Sequence, residues 1–175
     1  GDRAVRSALD VVEAARAANG AGDRRHHIAH VQVVQPVDLP RFAALDVVAN
    51  CQTYWAQPDA QMDELTVPFL GDERAALQYP FEAIRAAGAR LAMGSDWAVT
   101  TADPLAQLEV AITRAGRGTG SFLPDQRLSV DAATDTITAG SAYVNHDDDA
   151  GTIEVGRRAD LAMLDHDVLV DGYAT

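Results

Sequence analysis

The chain has little cysteine, and acidic residues outnumber its basic ones. Cys51 is the only cysteine among 175 residues, so neither an intrachain disulfide nor a thiolate zinc site can form within one chain. This cysteine usage suits a reducing compartment, and we expect a cytoplasmic protein. The 26 acidic and 14 basic residues give a formal net charge of -12, which repels phosphate backbones and anionic lipids. We therefore expect no nucleic acid and no membrane among its partners.

Long apolar runs and an initiator methionine are also missing. No apolar run approaches the roughly 20 residues that a membrane-spanning helix needs, and no targeting segment opens the chain. Because the chain begins at Gly1 and enters a helical pattern at once, we expect it to be cut from a longer protein. With 47% hydrophobic residues, it is long enough to bury the core of one domain or of part of a larger one.

Helical and strand patterns alternate along the chain. Apolar spacing predicts helices, and short apolar or β-branched runs predict strands; the helices fall at 5–18, 37–45, 73–87, 103–114 and 130–143, and the strands at 26–34, 46–52 and 89–94. Residues 53–72 have no clear period and predict a long loop. Residues 151–165 predict two further short strands joined by a turn at Gly156. Three strand-helix pairs in a row favour a parallel sheet with right-handed crossovers.

Two polar residues lie near the ends of predicted strands. His30 lies in the 26–34 strand, and Asp96 continues one face of the 89–94 strand, since alternate residues share a face. The carboxyl ends of parallel strands carry the functional site in such folds, and a histidine and an aspartate together suit a divalent metal such as zinc. Each residue also has a purely structural interpretation, as a hydrogen-bonded strand histidine and as a turn or cap aspartate.

Six segments in a fixed order carry a resemblance to a known family. They read GDRAV (1–5), RHHIAHVQ (25–32), LGDER (70–74), AGARLAMGSDWAV (87–99), DPLAQLEVAITR (103–114) and GTIEVGRRADLAMLD (151–165). With these segments the chain resembles the amidohydrolase superfamily, in its branch of long-chain metal-dependent hydrolases that includes N-substituted formamide deformylase. The resemblance covers almost the whole chain, and its specificity lies in the order of the six segments.

The resemblance implies an α/β fold that is the C-terminal part of a (β/α)8 barrel of the TIM type. About three strands with their helices would occupy residues 1–145, and residues 146–175 would begin a small β-sandwich element. The family binds one or two divalent metals, zinc being the expected one, at the carboxyl ends of the strands. In that pattern His30 is a metal ligand, and Asp96 is both a metal ligand and the catalytic proton shuttle.

The reaction that the resemblance implies is hydrolysis of an amide-type C–N bond in a small-molecule substrate. A metal-activated water attacks, and the aspartate moves the proton. Trp97 and Arg74 lie in matched segments and are candidates for residues next to the substrate. Packing is the alternative role for Trp97, and anchoring of the 53–72 loop is the favoured role for Arg74.

The chain lacks several parts of the family pattern. A His-x-His pair on the first strand, a bridging ligand in mid-barrel and a histidine before Gly1 have no counterpart, and Ala29 stands where the family commonly has glutamate. Zinc hydrolases use at least three protein ligands, so we expect this chain alone to bind no metal and to be inactive. The alternative is a non-catalytic binding or assembly module that retains a half-barrel. In both cases unpaired strands predict oligomers through the exposed barrel edges.

Overall fold

The computed structural model describes residues 1–116 and 118–165 of the chain. The described part contains three short strands and a series of mostly short helices. The strands are β1 (His27–Ala29), β2 (Val48–Cys51) and β3 (Leu91–Met93), and the helices are α1 (Asp2–Asn19), α2 (Leu39–Ala44), α3 (Ala60–Leu65), α4 (Val67–Leu70), α5 (Asp72–Ala75), α6 (Phe81–Ala86), α7 (Pro104–Thr113), α8 (Val130–Asp135) and α9 (Ser141–Val144). Three 3-10 turns lie at Pro36–Asp38, Thr53–Trp55 and Pro124–Gln126, and a π-helical segment, Thr136–Gly140, joins α8 to α9.

The strands form one parallel sheet in the order β1-β2-β3. His27 pairs with Val48, and Ala49 pairs with Leu91. Helices lie in both connections, as parallel neighbours require a crossover. The expected α/β class with three parallel strands is therefore confirmed, whereas the half-barrel and the β-sandwich remain predictions.

One face of the sheet is packed against the helices. Ala49 and Cys51 of β2, with Leu91 and Met93 of β3, belong to the main apolar cluster. The helices contribute large apolar side chains to the same cluster, among them Val5, Leu9, Phe42, Met62, Phe81, Ile84, Leu108 and Val110. Successive strand residues face opposite sides, so Asn50 lies on the other, more polar face. No helix of the described residues is long and apolar enough to cross a bilayer.

The chain departs from the predicted elements where turns and caps override the hydrophobic period. Residues 53–72, predicted as a loop, contain a 3-10 turn and the helices α3 and α4. Asp59 caps α3, because its carboxylate accepts a 2.7 Å hydrogen bond from the Met62 N–H, and the Met62 side chain is buried in the core. A helix as short as α3, with one buried residue, shows too little hydrophobic periodicity to be predicted from the sequence.

The predicted helix at 73–87 is wrong as a continuous element. It is interrupted between α5 and α6, where Gln78 forms an antiparallel bridge with Val33 and Tyr79 has a φ of 47°. The strand predicted at 26–34 is also shorter, since His30 and Val31 take positive φ values of 68° and 38° and turn the backbone away from the sheet. In both places the left-handed conformation ends the regular element.

Residues 151–165 form turns and extended backbone, with no strand among these described residues. The predicted turn at Gly156 is present, with a φ of 90°, but the two strands are not. Ile153, Val155 and Met163 remain almost fully exposed, so these apolar side chains are not buried by the described residues. The rest of the predicted second domain, 166–175, lies outside the described residues, and the division at residue 145 remains a prediction.

The two edges of the sheet differ. At β3, the Ser141 hydroxyl accepts a hydrogen bond from the Met93 N–H (3.2 Å) and donates one to the Met93 carbonyl oxygen (2.8 Å). Gly140 lies against the same edge, where a Cβ atom would overlap a carbonyl oxygen of β3. At β1, the backbone N–H groups of His27 and Ala29 have no partner within the described part of the chain. One edge is therefore covered and the other is open.

Candidate functional site

A cavity of about 760 Å³ lies at the carboxyl end of β1. His30, which follows β1, and Asp96, which follows β3, both line it. The structure thus brings together the two residues that the sequence singled out as metal ligands. The remaining walls come from the start of α1, from α3 and α4, and from the turn before α6; they include Gly1, Val5, Trp55, Asp59, Met62, Phe69 and Tyr79.

A network of amide side chains holds the backbone at His30. Its N–H donates to the Gln52 side-chain oxygen (2.6 Å) and to the Asn50 carbonyl oxygen (3.1 Å). The Gln52 amide nitrogen in turn donates to the Asn50 side-chain oxygen (2.9 Å), and the Asn50 amide nitrogen lies 3.2 Å from the His27 ring nitrogen Nδ1. Gln52 is buried, whereas His27 is exposed, so the buried end of this network fixes the strand end from which the His30 imidazole projects.

Asp96 lies in a tight turn after β3. The backbone has a φ of 59°, a conformation that aspartate tolerates better than most residues. The Asp96 carbonyl oxygen accepts a 2.8 Å hydrogen bond from the Val99 N–H, and the Thr100 hydroxyl donates to the Ser95 carbonyl oxygen. The Asp96 carboxylate itself makes no hydrogen bond or ion pair with the described residues, so it is available to a ligand in the cavity.

Trp97 and Arg74 lie outside the cavity lining. The Trp97 side chain is 71% exposed. Arg74 donates a 2.8 Å ion-paired hydrogen bond to Asp2 and so ties α5 to the start of α1. Hydrogen bonds from Gln35 and then from Arg74 lower the pKa of the Asp2 carboxyl to about 2. In this structure Arg74 therefore has the anchoring position, while contact of either residue with a substrate remains a prediction.

The only cysteine lies away from the cavity. The Cys51 side chain is buried in the core, and burial raises the pKa of its thiol. A thiol that stays protonated is a poor nucleophile and a poor metal ligand. The chemistry of the cavity must therefore come from oxygen and nitrogen groups.

The cavity also contains a concentration of strained backbone. Nine residues other than glycine have positive φ values in the described structure, and four of them line this one cavity: His30, Val31, Tyr79 and Asp96. Such conformations cost about 1–3 kcal/mol each and cluster at functional sites. Tyr79 was not among the residues that the sequence indicated, because an aromatic residue inside the predicted helix at 73–87 is most simply interpreted as core. Nothing in the sequence marks the positive φ of Tyr79, whereas a glycine at this position would have indicated it.

His30 and Asp96 are suitable types of ligand for a divalent metal, but two ligands are too few for a complete site. An imidazole and a carboxylate are both common zinc ligands, yet no group of three or more potential ligands is present among the described residues. Asp59 also lines the cavity, but one of its carboxylate oxygens already caps α3. The described chain therefore offers two of the at least three protein ligands that a catalytic zinc site normally has.

Comparison with known proteins is consistent with this arrangement. Residues 1–170 match the model described as Amidohydrolase family. The chain is 34% identical over 171 residues to Protein LONG AFTER FAR-RED 3 of Arabidopsis thaliana, which covers 94% of this chain and 28% of that protein. It is 27% identical over 171 residues to the N-substituted formamide deformylase of Arthrobacter pascens, covering 95% of this chain and 30% of the enzyme.

Solved structures give the same result. A metal-dependent hydrolase from Pyrococcus horikoshii OT3 superimposes with a TM-score of 0.81 and 30% sequence identity, over 97% of this chain and 33% of the hydrolase. The chain spans about a third of the length of these relatives or less, as the covered shares of 28%, 30% and 33% show.

Proposed function

Because the chain belongs to the amidohydrolase family, we propose that it forms the part of a metal-dependent amidohydrolase that carries His30 and Asp96 at the catalytic cavity. The observation that carries this proposal is that both residues, drawn from two different strand ends, line the same cavity. Similarity to hydrolases extends over nearly the whole chain, which favours a hydrolase over a non-catalytic binding module. The proposed reaction is hydrolysis of an amide-type C–N bond in a small molecule.

In the proposed mechanism, His30 and Asp96 contribute two ligands to a divalent metal, for which zinc is our proposal. When bound, the metal would lower the pKa of its bound water to about 7. Asp96 then accepts a proton at a carboxylate oxygen and returns it to the nitrogen of the leaving amine. The free carboxylate supports this role, since a carboxylate already engaged by the protein would be a weaker base.

We propose that the remaining metal ligands lie in the part of the relatives that this chain does not span. On that basis the chain alone is inactive, and residues 1–145 and 146–175 belong to the barrel and to the sandwich of the complete protein. Trp97 is proposed to contact the substrate, because it follows Asp96 directly and presents a large exposed aromatic surface. Arg74 acts indirectly, through its ion pair with Asp2 beside the cavity residue Gly1. The single buried cysteine supports a cytoplasmic location.

The test is made on the full-length protein expressed from its natural reading frame. Release of amine from an N-substituted formamide is measured for the native protein, for Asp96→Asn and for His146→Gln, whose histidine lies in an exposed turn. We expect Asp96→Asn to lower kcat by about 10²–10⁴-fold, the usual contribution of a general acid-base group, while His146→Gln keeps full activity. Native-like activity of Asp96→Asn would contradict the proposed role.

A further inference from the structure

Tyr79 stands in the cavity wall together with His30 and Asp96. It lies in the turn between α5 and α6, and only 6% of its surface is exposed. The backbone is held from both sides, because the Tyr79 N–H donates to the Gln32 carbonyl oxygen (2.6 Å) and the Tyr79 carbonyl oxygen accepts from Arg114 Nη1 (3.0 Å). These bonds keep Tyr79 at its positive φ of 47°.

The aromatic ring is held as firmly as the backbone. The Phe81 ring lies 5.7 Å from it, centroid to centroid, and the Arg114 guanidinium lies 5.9 Å from the Tyr79 ring centroid. Arg114 is completely buried and has no carboxylate partner among the described residues, and burial lowers the pKa of its guanidinium to about 10. A buried charge without a partner is costly. The surrounding structure must therefore hold the Arg114 guanidinium in its position behind the Tyr79 ring.

The hydroxyl is the one polar group of Tyr79 that makes no hydrogen bond with the described residues. It is not, however, one of their fully buried unpaired atoms. The hydroxyl therefore belongs to the small exposed fraction of Tyr79, and because Tyr79 lines the cavity, we infer that the hydroxyl faces it. Polar groups in such nearly buried positions are normally hydrogen-bonded, and a ligand in the cavity can supply the partner that the described residues do not.

The protonation state of the Tyr79 phenol determines whether it can donate a hydrogen bond to a ligand. Burial raises the pKa of Tyr79 above that of a free phenol, so the hydroxyl remains protonated and can donate at neutral pH. An amide ligand presents one acceptor, its carbonyl oxygen, and its N–H donor. The Asp96 carboxylate only accepts hydrogen bonds when ionised, so it can bind the N–H but not the carbonyl oxygen.

We propose that Tyr79 is a substrate-binding residue whose hydroxyl donates a hydrogen bond to the carbonyl oxygen of an amide-type ligand in the cavity. The inference deepens the proposed function and rests on it, since it takes the amide class of ligand from there. It adds a third polar contact, on the wall formed by the α5–α6 turn, to the two strand ends at His30 and Asp96.

The experiment compares the full-length protein that contains this chain, expressed from its natural reading frame, with its Tyr79→Phe, Tyr54→Phe and Asp96→Asn variants. N-benzylformamide is titrated into each protein, and binding is followed by NMR of ¹³C-labelled tyrosine rings. We expect the Tyr79 signal to shift on binding, and the dissociation constant of Tyr79→Phe to rise about 3- to 10-fold, as for loss of one hydrogen bond. Tyr54 is a matched control, because it is partly buried against the core but does not line the cavity, and its variant should bind like the native protein.

Thermal unfolding separates this role from a structural one. Because the Tyr79 hydroxyl has no protein partner, Tyr79→Phe should melt at the native temperature. A lower melting temperature would mean that the hydroxyl holds the fold, and would overturn the inference. Native-like binding by Tyr79→Phe, with weakened binding by Asp96→Asn, would also overturn it while leaving the proposed function intact. Failure of the native protein to bind the probe would overturn the amide substrate class and the inference together.

Discussion

Replacement of Gly140 by alanine tests how the chain covers the edge of β3. Gly140 ends the π-helical segment in ordinary helical geometry, with φ and ψ of -63° and -44°. In an open helix this substitution would stabilise the protein by about 0.5–1 kcal/mol. Here a Cβ atom would overlap the Leu91 carbonyl oxygen and approach the Ala92 Cα to 3.3 Å. We therefore expect the opposite sign.

The expected loss in the free energy of unfolding depends on which groups must move to make room for the new Cβ atom. Neither neighbour is a flexible side chain, so either the helix or the strand edge has to shift. Overpacking of this kind costs about 1–3 kcal/mol, and a shift also lengthens the two hydrogen bonds between Ser141 and Met93, each worth about 1 kcal/mol. After the gain in helix propensity is subtracted, the free energy of unfolding should fall by about 2–3 kcal/mol. That is a large share of the roughly 5–15 kcal/mol that stabilises a typical domain.

Urea unfolding of the native chain and of Gly140→Ala measures this difference. The midpoint should fall while the m-value stays unchanged, because the surface exposed on unfolding is the same. Gly120→Ala is the matched control, since a Cβ there meets no atom within 4 Å, and it should unfold like the native chain. Equal or greater stability of Gly140→Ala would show that this helix does not lie against β3.

Three further outcomes are expected. Ser141→Ala should lower the free energy of unfolding by about 1–3 kcal/mol, measured in urea, because it leaves the N–H and carbonyl groups of Met93 without partners; an unchanged midpoint would count against the edge contact. Asp2→Asn should cost about 1 kcal/mol at pH 7 after screening of a side chain that is 20% exposed. Because the folded pKa of Asp2 is lowered from 3.8 to about 2, this stability is present above about pH 4 and is lost as the pH falls through about 2, so a difference as large at pH 2 as at pH 7 would contradict the assignment. The open edge of β1 should cause self-association that sedimentation velocity detects, and His27→Pro, which removes one free edge N–H, should reduce it; a monodisperse monomer at high concentration would refute this expectation.

The sheet was predictable because its strands are short apolar runs with charged or proline boundaries. All three predicted strand segments contain an observed strand, and the predicted helices at 5–18 and 103–114 correspond to α1 and α7. The interruption before α6 was not predictable, since it depends on a long-range bridge from Gln78 to Val33. A contact between residues 45 positions apart leaves no local periodicity in the sequence.

The candidate site was predictable only in its chemically reactive members. His30 and Asp96 could be identified because they are polar groups at the ends of apolar strands, where burial demands a partner or a function. Tyr79 gives no such signal, because its ring packs like a core residue and its distinguishing features are a positive φ and an unpaired hydroxyl. The positive φ is held by tertiary contacts of the backbone with Gln32 and Arg114, and the state of the hydroxyl depends on its surroundings, so both features appear only when the fold is known.

The strained cavity wall links stability to function. Val31 and Tyr79 are poorly suited to positive φ, and at about 1–3 kcal/mol each they together consume up to about 6 kcal/mol of a stability that is itself of order 10 kcal/mol. The groups that hold this wall lie behind it: Gln52 bonds the backbone next to Val31, and Arg114 bonds that of Tyr79. Neither residue lines the cavity; Gln52 acts on it through the backbone, and Arg114 acts through both the backbone and the ring of Tyr79. A relaxed wall would be more stable, and backbone strain that the surrounding contacts hold in this way is typical of functional sites.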